Sequence, residues 1–218
     1  MQELEGVYSF VFQPDEKIIW TPGQYMHYTL EHPQTDTRGN ERWFTISTAP
    51  YEKNIMITTR MAAKGGSSFK DALLNLQIGD EIDSNGPKGQ FIIKEGDYNH
   101  ILIAGGIGVT PYRSMMLQLN RDGKNLPIDL FYANRNEELV FSKVFSELES
   151  DLSNFTLKRF VGDNRIEKSD FVPYLGKTNS LFYISGPKAM VETYQRLLES
   201  LKVAEEQILT DYFPGYGA

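Results

Sequence analysis

Residues 101–116, Ile-Leu-Ile-Ala-Gly-Gly-Ile-Gly-Val-Thr-Pro-Tyr-Arg-Ser-Met-Met, constrain the fold more than any other stretch. Four apolar residues, 101–104, read as a buried strand. Gly105, Gly106 and Gly108 then turn the chain, and Thr110-Pro111 opens a helix, where the missing N–H of proline costs nothing. A strand, a glycine turn and a helix N-terminus gather free backbone N–H groups at the positive end of a helix dipole, a natural seat for phosphate. The glycines let a ligand lie directly on the main chain. Alone, the pattern also fits an ordinary strand-to-helix turn, so the rest of the chain has to decide.

From His100 onward the pattern is regular. Strand candidates at 101–104, 128–132, 155–160 and 181–185 alternate with helices that begin near Pro111, Ser142 and Lys188. This is the pattern of βαβ units, and it predicts a parallel sheet with helices on both faces. Residues 1 to about 95 differ. Short apolar or aromatic runs at 7–12, 25–30, 43–47, 55–60, 81–84 and 91–94 are separated by turn signals at 21–23, 38–40 and 85–89. Their spacing predicts an antiparallel barrel or sandwich. One helix interrupts it, capped by Ser67 or Ser68, with Phe69, Ala72, Leu73 and Leu76 on one face and Gly79-Asp80 as its end. The predicted division is therefore 1–96 and 97–218.

Composition removes several classes of function. The net charge of −7 disfavours a general nucleic-acid binder. With no cysteine there are no disulfides, thiolate metal sites, cysteine-ligated clusters or cysteine nucleophiles. The three histidines, His27, His32 and His100, are scattered, and His27 and His100 are expected to be structural or solvated, so no metal is expected. No run approaches the roughly 20 apolar residues of a membrane span, and the N-terminus lacks a signal-peptide pattern. The expected location is cytoplasmic.

A second motif lies at 42–47, Arg-Trp-Phe-Thr-Ile-Ser. Strand alternation sends Trp43, Thr45 and Ser47 to one face and Arg42, Phe44 and Ile46 to the other. A cation and a flat ring on one face could hold a phosphate and stack a planar heterocycle. A barrel strand with a solvent-facing arginine fits the same residues.

In combination, the motifs resemble the ferredoxin–NADP reductase superfamily, which joins an FAD-binding β-barrel to an NAD(P)-binding α/β domain. The resemblance covers essentially the whole chain in the family's order: PGQY at 22–25, RWFTIS at 42–47, GGSSF at 65–69, GPKGQF at 86–91, GGIGVTP at 105–111, YISGPKAM at 183–190, and the acidic–aromatic Asp211-Tyr212-Phe213. Three departures stand out. Phe44 replaces a frequent tyrosine, so ring stacking survives without a phenol hydrogen bond. Ser185 replaces a frequent cysteine beside the nicotinamide. With no cysteine in the sequence, no ferredoxin domain is expected to be attached.

The resemblance implies an enzyme that passes a hydride from NAD(P)H to non-covalent FAD and then electrons to a separate acceptor. Ferredoxin, flavodoxin, another iron–sulfur protein or a small acceptor would each serve. It places Arg42 on the FAD pyrophosphate, Phe44 against the flavin, and Ser47 near N5, with Trp43, Thr45 and Thr59 around them. Gly66, Ser67 and Ser68 would hold phosphate. Gly106, Thr110, Pro111, Gly186 and Pro187 would shape the nicotinamide site, where Ser185 and Asp211 assist catalysis and Phe213 covers the flavin ring. Arg135, with Arg159 and Arg165, predicts NADPH over NADH through the 2′-phosphate. The alternative is a flavin-binding regulatory or electron-transfer component with little activity alone.

Overall fold

The computed structural model describes residues 1–62 and 65–213, the last of these as backbone only. The β-rich part holds β1 (Gln2–Leu4), β2 (Val7–Phe12), β3 (Tyr25–Thr29), β4 (Glu41–Thr45), β5 (Ile55–Arg60), α1 (Ser68–Asn75) and β6 (Asp83–Lys88). Every strand pair is antiparallel, in two sheets ordered β1-β2-β5 and β4-β3-β6. The sheets meet where the Ser47 N–H donates to the Met56 carbonyl at 2.9 Å. They enclose Met26, Tyr28, Phe44, Ile46 and Ile57, and α1 contributes Phe69 and Leu73. Closure of a single barrel is not completed among the described residues, because β6 pairs only with β3.

Three sequence expectations need correction here. The Asn85-Gly86-Pro87 stretch, expected as a turn, lies inside β6, where a register irregularity opposite Tyr25 and His27 accommodates it. Residues 91–94 form no strand. Instead Phe91 is buried against Tyr112 and Tyr183, at ring distances of 5.9 and 5.6 Å, and the Lys94 main chain bonds to the side chains of Tyr183 and His100. Helix α1 ends at Asn75, before Gly79; the Asp80 carboxylate accepts the Gln77 N–H and fixes a separate turn.

The α/β part holds β7 (Asn99–Gly105), α2 (Thr110–Arg121), β8 (Ile128–Asn134), α3 (Ser142–Asp151), β9 (Phe155–Val161), α4 (Lys168–Phe171), β10 (Ser180–Pro187), α5 (Lys188–Ser200) and β11 (Ile208–Phe213). All five strands are parallel, in the order β11-β10-β7-β8-β9. Residues of α2 and α3 pack one face of the sheet, and residues of α4 and α5 pack the other. The aromatic tail expected at 211–213 is the fifth strand, with Ser185 opposite Asp211 and Pro187 opposite Phe213.

Candidate active site

The strand-to-helix turn behaves as its residues dictate. Gly106 takes the left-handed φ of +52°, and a Cβ at Gly108 would sit 2.2 Å from the Ser185 carbonyl oxygen. Only glycine lets the turn press onto the end of β10. Thr110 and Pro111 start α2 and are buried. The next residue, Tyr112, is fully buried and donates its hydroxyl toward the Tyr183 and Ile103 carbonyls, at 2.8 and 3.2 Å.

A cavity of about 490 Å³ opens between β4, β5, the start of α1 and this turn. From the expected set, Arg42, Trp43, Phe44, Thr45, Thr59, Gly66, Ser67 and Thr110 all line it. So do other residues that sequence reasoning did not single out, among them Arg38, Arg60, Lys70 and Ile107. Arg38 and Arg60 sit in a polar turn and at a strand end, where arginine is normally solvated, so the sequence carried no signal for them. Ile107 and Thr110 show that the α/β part supplies one wall.

The Arg42 guanidinium donates to the carbonyls of Arg38 and Gly39, while its Nη2 is buried with no hydrogen-bond partner among the described residues. Phe44 packs between Tyr28 and Phe69, at 6.0 and 5.9 Å, and the Arg42 guanidinium lies 5.5 Å from the Phe69 ring centre. Ser47 is fully buried, and its Oγ likewise has no partner among the described residues. Trp43 is 47 % exposed and stacks on His27 at 4.2 Å.

Ser67 caps α1 by accepting the Lys70 N–H at 3.3 Å. Ser68 is tied differently: its N–H donates to the Asp36 carboxylate at 2.9 Å, and its Oγ accepts the Asp36 N–H at 3.0 Å. Asp36 is also gripped by Arg38, at 2.7 and 3.1 Å. The Arg38 guanidinium and the Ser68 N–H together hold the Asp36 carboxyl well below the usual carboxylate range. A carboxylate of the chain itself thus occupies the start of α1, bonded to Arg38 and 3.9 Å from the Arg42 Nη2.

At the same end of the sheet, the Ser185 Oγ donates to the Asp211 carboxylate at 3.4 Å. Burial pushes the Asp211 carboxyl up to about 6, opposed by that hydrogen bond. Gly186 and Pro187 close β10 beside the Gly105–Gly108 turn. Arg135 is exposed at the end of β8, Arg165 is exposed, and Arg159 is bonded to Ser146 at 3.2 Å; none of the three lines the cavity. The side chain of Phe213 lies outside the described residues. No cluster of three or more histidine or acidic residues suited to a metal occurs among the described residues.

Residues 102–196 match the model of the oxidoreductase NAD-binding domain family. The fold superposes on the ferredoxin–NADP+ reductase of Plasmodium falciparum with a TM-score of 0.80, at 17 % identity over 95 % of this chain and 88 % of that one. It superposes on the flavohem-like FAD/NAD-binding domain of the nitric oxide dioxygenase of Vibrio cholerae with a TM-score of 0.77, at 21 % identity over 95 % and 92 %. The chain has the fold of these reductases, and the family model covers its residues 102–196. Among curated relatives, one component of the Na(+)-translocating NADH-quinone reductase of Klebsiella pneumoniae is 28 % identical over 93 % of this chain. The phenol hydroxylase P5 protein of Acinetobacter pittii is 28 % identical over 92 %. The chain spans only 55 % and 60 % of the lengths of these two relatives.

The cavity fits an FAD on its own terms. Its cations, Arg38, Arg42, Arg60 and Lys70, suit a pyrophosphate. Phe44 offers a ring, and the Arg42 Nη2, 3.9 Å from the Asp36 carboxylate, makes no hydrogen bond among the described residues; Ser47, though buried with a free Oγ, does not line the cavity. No helix of the described residues is long and apolar enough to cross a membrane.

Proposed function

We propose that this chain is an NAD(P)H-dependent reductase that takes a hydride from the nicotinamide onto FAD and hands electrons to a separate acceptor. The observation that carries this reading is the two-sided cavity. A strand with an arginine and an aromatic ring forms one wall, and the glycine turn of a nucleotide-binding sheet forms the other. When bound, FAD supplies the redox chemistry, converting two-electron hydride chemistry into single-electron release.

The residues supply position, charge and protons. Arg42, supported by Arg38, Arg60 and Lys70, neutralises the pyrophosphate. Phe44 and Trp43 flank the ring system, while Thr45, Ser47 and Thr59 offer hydroxyls along its edge. Ser67 and Gly66 shape the phosphate end, and Ser68 acts through Asp36. Gly106, Thr110, Pro111, Gly186 and Pro187 form the nicotinamide seat. Ser185 and Asp211 stand at its inner end, where a carboxyl titrating near 6 can hold or release a proton at neutral pH. The backbone of Phe213 ends β11 opposite Pro187, and its ring is assigned to covering the flavin by the family resemblance alone.

Arg135 supports NADPH as the electron donor, since it is exposed at the end of the second sheet strand. The relative named as part of an NADH-quinone reductase supports NADH. Steady-state kinetics with both nucleotides separates the two: a lower kcat/KM for NADPH than for NADH removes the Arg135 assignment. For the reaction itself, the purified protein should be yellow and should bleach when mixed with NAD(P)H without air. Flavin that is bound but not reduced would favour the reading as a regulatory component. The acceptor is a separate protein or small molecule, and the relatives named as components of larger systems support this choice.

A further inference from the structure

A second cavity, of about 980 Å³, lies on the other side of the β-rich part, between β2 and β6. It follows from how the two sheets fail to join. Strand β1 pairs with β2 only at Val7 and Tyr8. The Ser9 N–H and carbonyl face the same edge and are taken by Met1, at 2.8 Å each. Alternation turns the Val11 main chain toward that edge too, and no described strand pairs with it there. Across the gap, β6 pairs with β3 alone among the described residues. Two strand edges therefore face one another across a space neither fills, and unpaired edges are templates for a further strand.

Two independent features say what could fill it. Tyr28 lines the cavity, is 1 % exposed, and its hydroxyl has no hydrogen-bond partner among the described residues. A buried phenol without a partner is a donor awaiting an acceptor, and burial pushes its pKa up, so it stays protonated. The rim carries Asp15, Glu16, Asp80, Glu81 and Asp83, and no lysine or arginine among the described residues lines the cavity. Lys17 is next in sequence but does not contribute. Around the rim Val11 and Ile78 expose apolar side chains.

We propose that the β2–β6 seam binds an extended, basic segment of a partner protein by strand addition. Backbone pairing to the edges would give affinity, apolar side chains would enter the cavity, and lysines or arginines would meet the rim. A main-chain carbonyl of the segment would accept the Tyr28 hydroxyl.

Fluorescein-labelled heptapeptides of alternating lysine and valine, or glutamate and valine, test this by anisotropy against the intact protein. The lysine peptide should bind with a Kd below about 100 μM, and the glutamate peptide about tenfold more weakly or worse. Asp80→Asn with Asp83→Asn should weaken the lysine peptide about threefold or more. Tyr28→Phe should weaken it similarly while melting at or above the wild-type temperature, because it deletes an unpartnered buried hydroxyl. Equal binding of the two peptides overturns the proposal, as does unchanged affinity in the Tyr28→Phe protein. A dimer of this chain that the lysine peptide cannot enter would give the seam to a second copy and would also overturn it.

Discussion

Arg113 and Glu52 form a two-point ion pair that joins the α/β part to the β-rich part. The guanidinium of Arg113, on α2, meets both Glu52 carboxylate oxygens at 2.9 and 3.0 Å, and Nη1 also donates to the Ser47 carbonyl at 2.8 Å. The side chains are 12 % and 22 % exposed. One guanidinium thereby fixes the end of the cavity strand against the helix that starts the nucleotide turn.

Loss of that pair should cost both stability and rate. Arg113→Ala is expected to destabilise the protein by about 2 kcal/mol, between the values for exposed and buried ion pairs. It should also slow flavin reduction while leaving flavin affinity nearly unchanged. Arg113→Lys should recover only part, because an ammonium cannot reproduce the two-point contact. Urea midpoints and single-turnover reduction rates check both statements.

Arg42→Ala should lower FAD affinity at least tenfold, or about 1.4 kcal/mol. The guanidinium lines the cavity, and its buried Nη2 makes no hydrogen bond among the described residues, with the Asp36 carboxylate 3.9 Å away. Titration of the flavin-free protein with FAD decides this; an unchanged Kd would remove Arg42 from the site.

Asp211 should leave a pH signature. Its carboxyl titrates near 6 in the folded protein and at 3.8 in its ordinary state. Between those values the folded protein holds more protons than the unfolded one, so stability falls as pH rises through this window and is flat above it. Asp211→Asn should abolish that slope and raise the melting temperature at pH 7 relative to wild type. The pH profile of kcat should lose an inflection near 6 in the same variant. A slope unchanged by the substitution would assign the titration to another group.

Phe213→Ala should tighten nicotinamide binding by about threefold or more, since the resemblance implies that this ring covers the flavin where the nicotinamide must stack. Equilibrium titration with NADP+ and NAD+ measures it. Unchanged affinity, with the flavin spectrum also unchanged, would place the ring outside the site.

Much of this architecture is legible in the residues, and the parts that are not share a cause. Apolar patterning marks the inner strands β7, β8 and β10 by runs, since they are mostly buried on both faces, and the edge strand β9 by alternation, since its Thr156 and Arg159 are exposed. It misses β11, whose Thr210 and Asp211 read as polar tail, because only pairing with β10 reveals the strand. It misplaces β6, where Asn85-Gly86-Pro87 carries every local turn signal and tertiary pairing to β3 prevails. In the cavity, Arg42, Phe44 and Ser67 stand out because they lie in short motifs. Arg38, Arg60 and Lys70 come from three separate segments, and only folding brings their charges together. The Asp36–Ser68 and Glu52–Arg113 contacts span 32 and 61 residues, a separation at which no local pattern operates.

The first turn of α2 makes the two parts hard to exchange separately between relatives. Three successive residues there reach three different places: Tyr112 to the carbonyls of β7 and β10, Arg113 to Glu52 and Ser47, and Ser114 to the Thr48 carbonyl at 2.6 Å. Helix rotation or a one-residue insertion would break the attachments to sheet and barrel together. A chimera that recombines these parts from two relatives must therefore inherit residues 47–52 and 112–114 from one parent. The natural crossover point lies in neither half but has to respect a bond network shared by both.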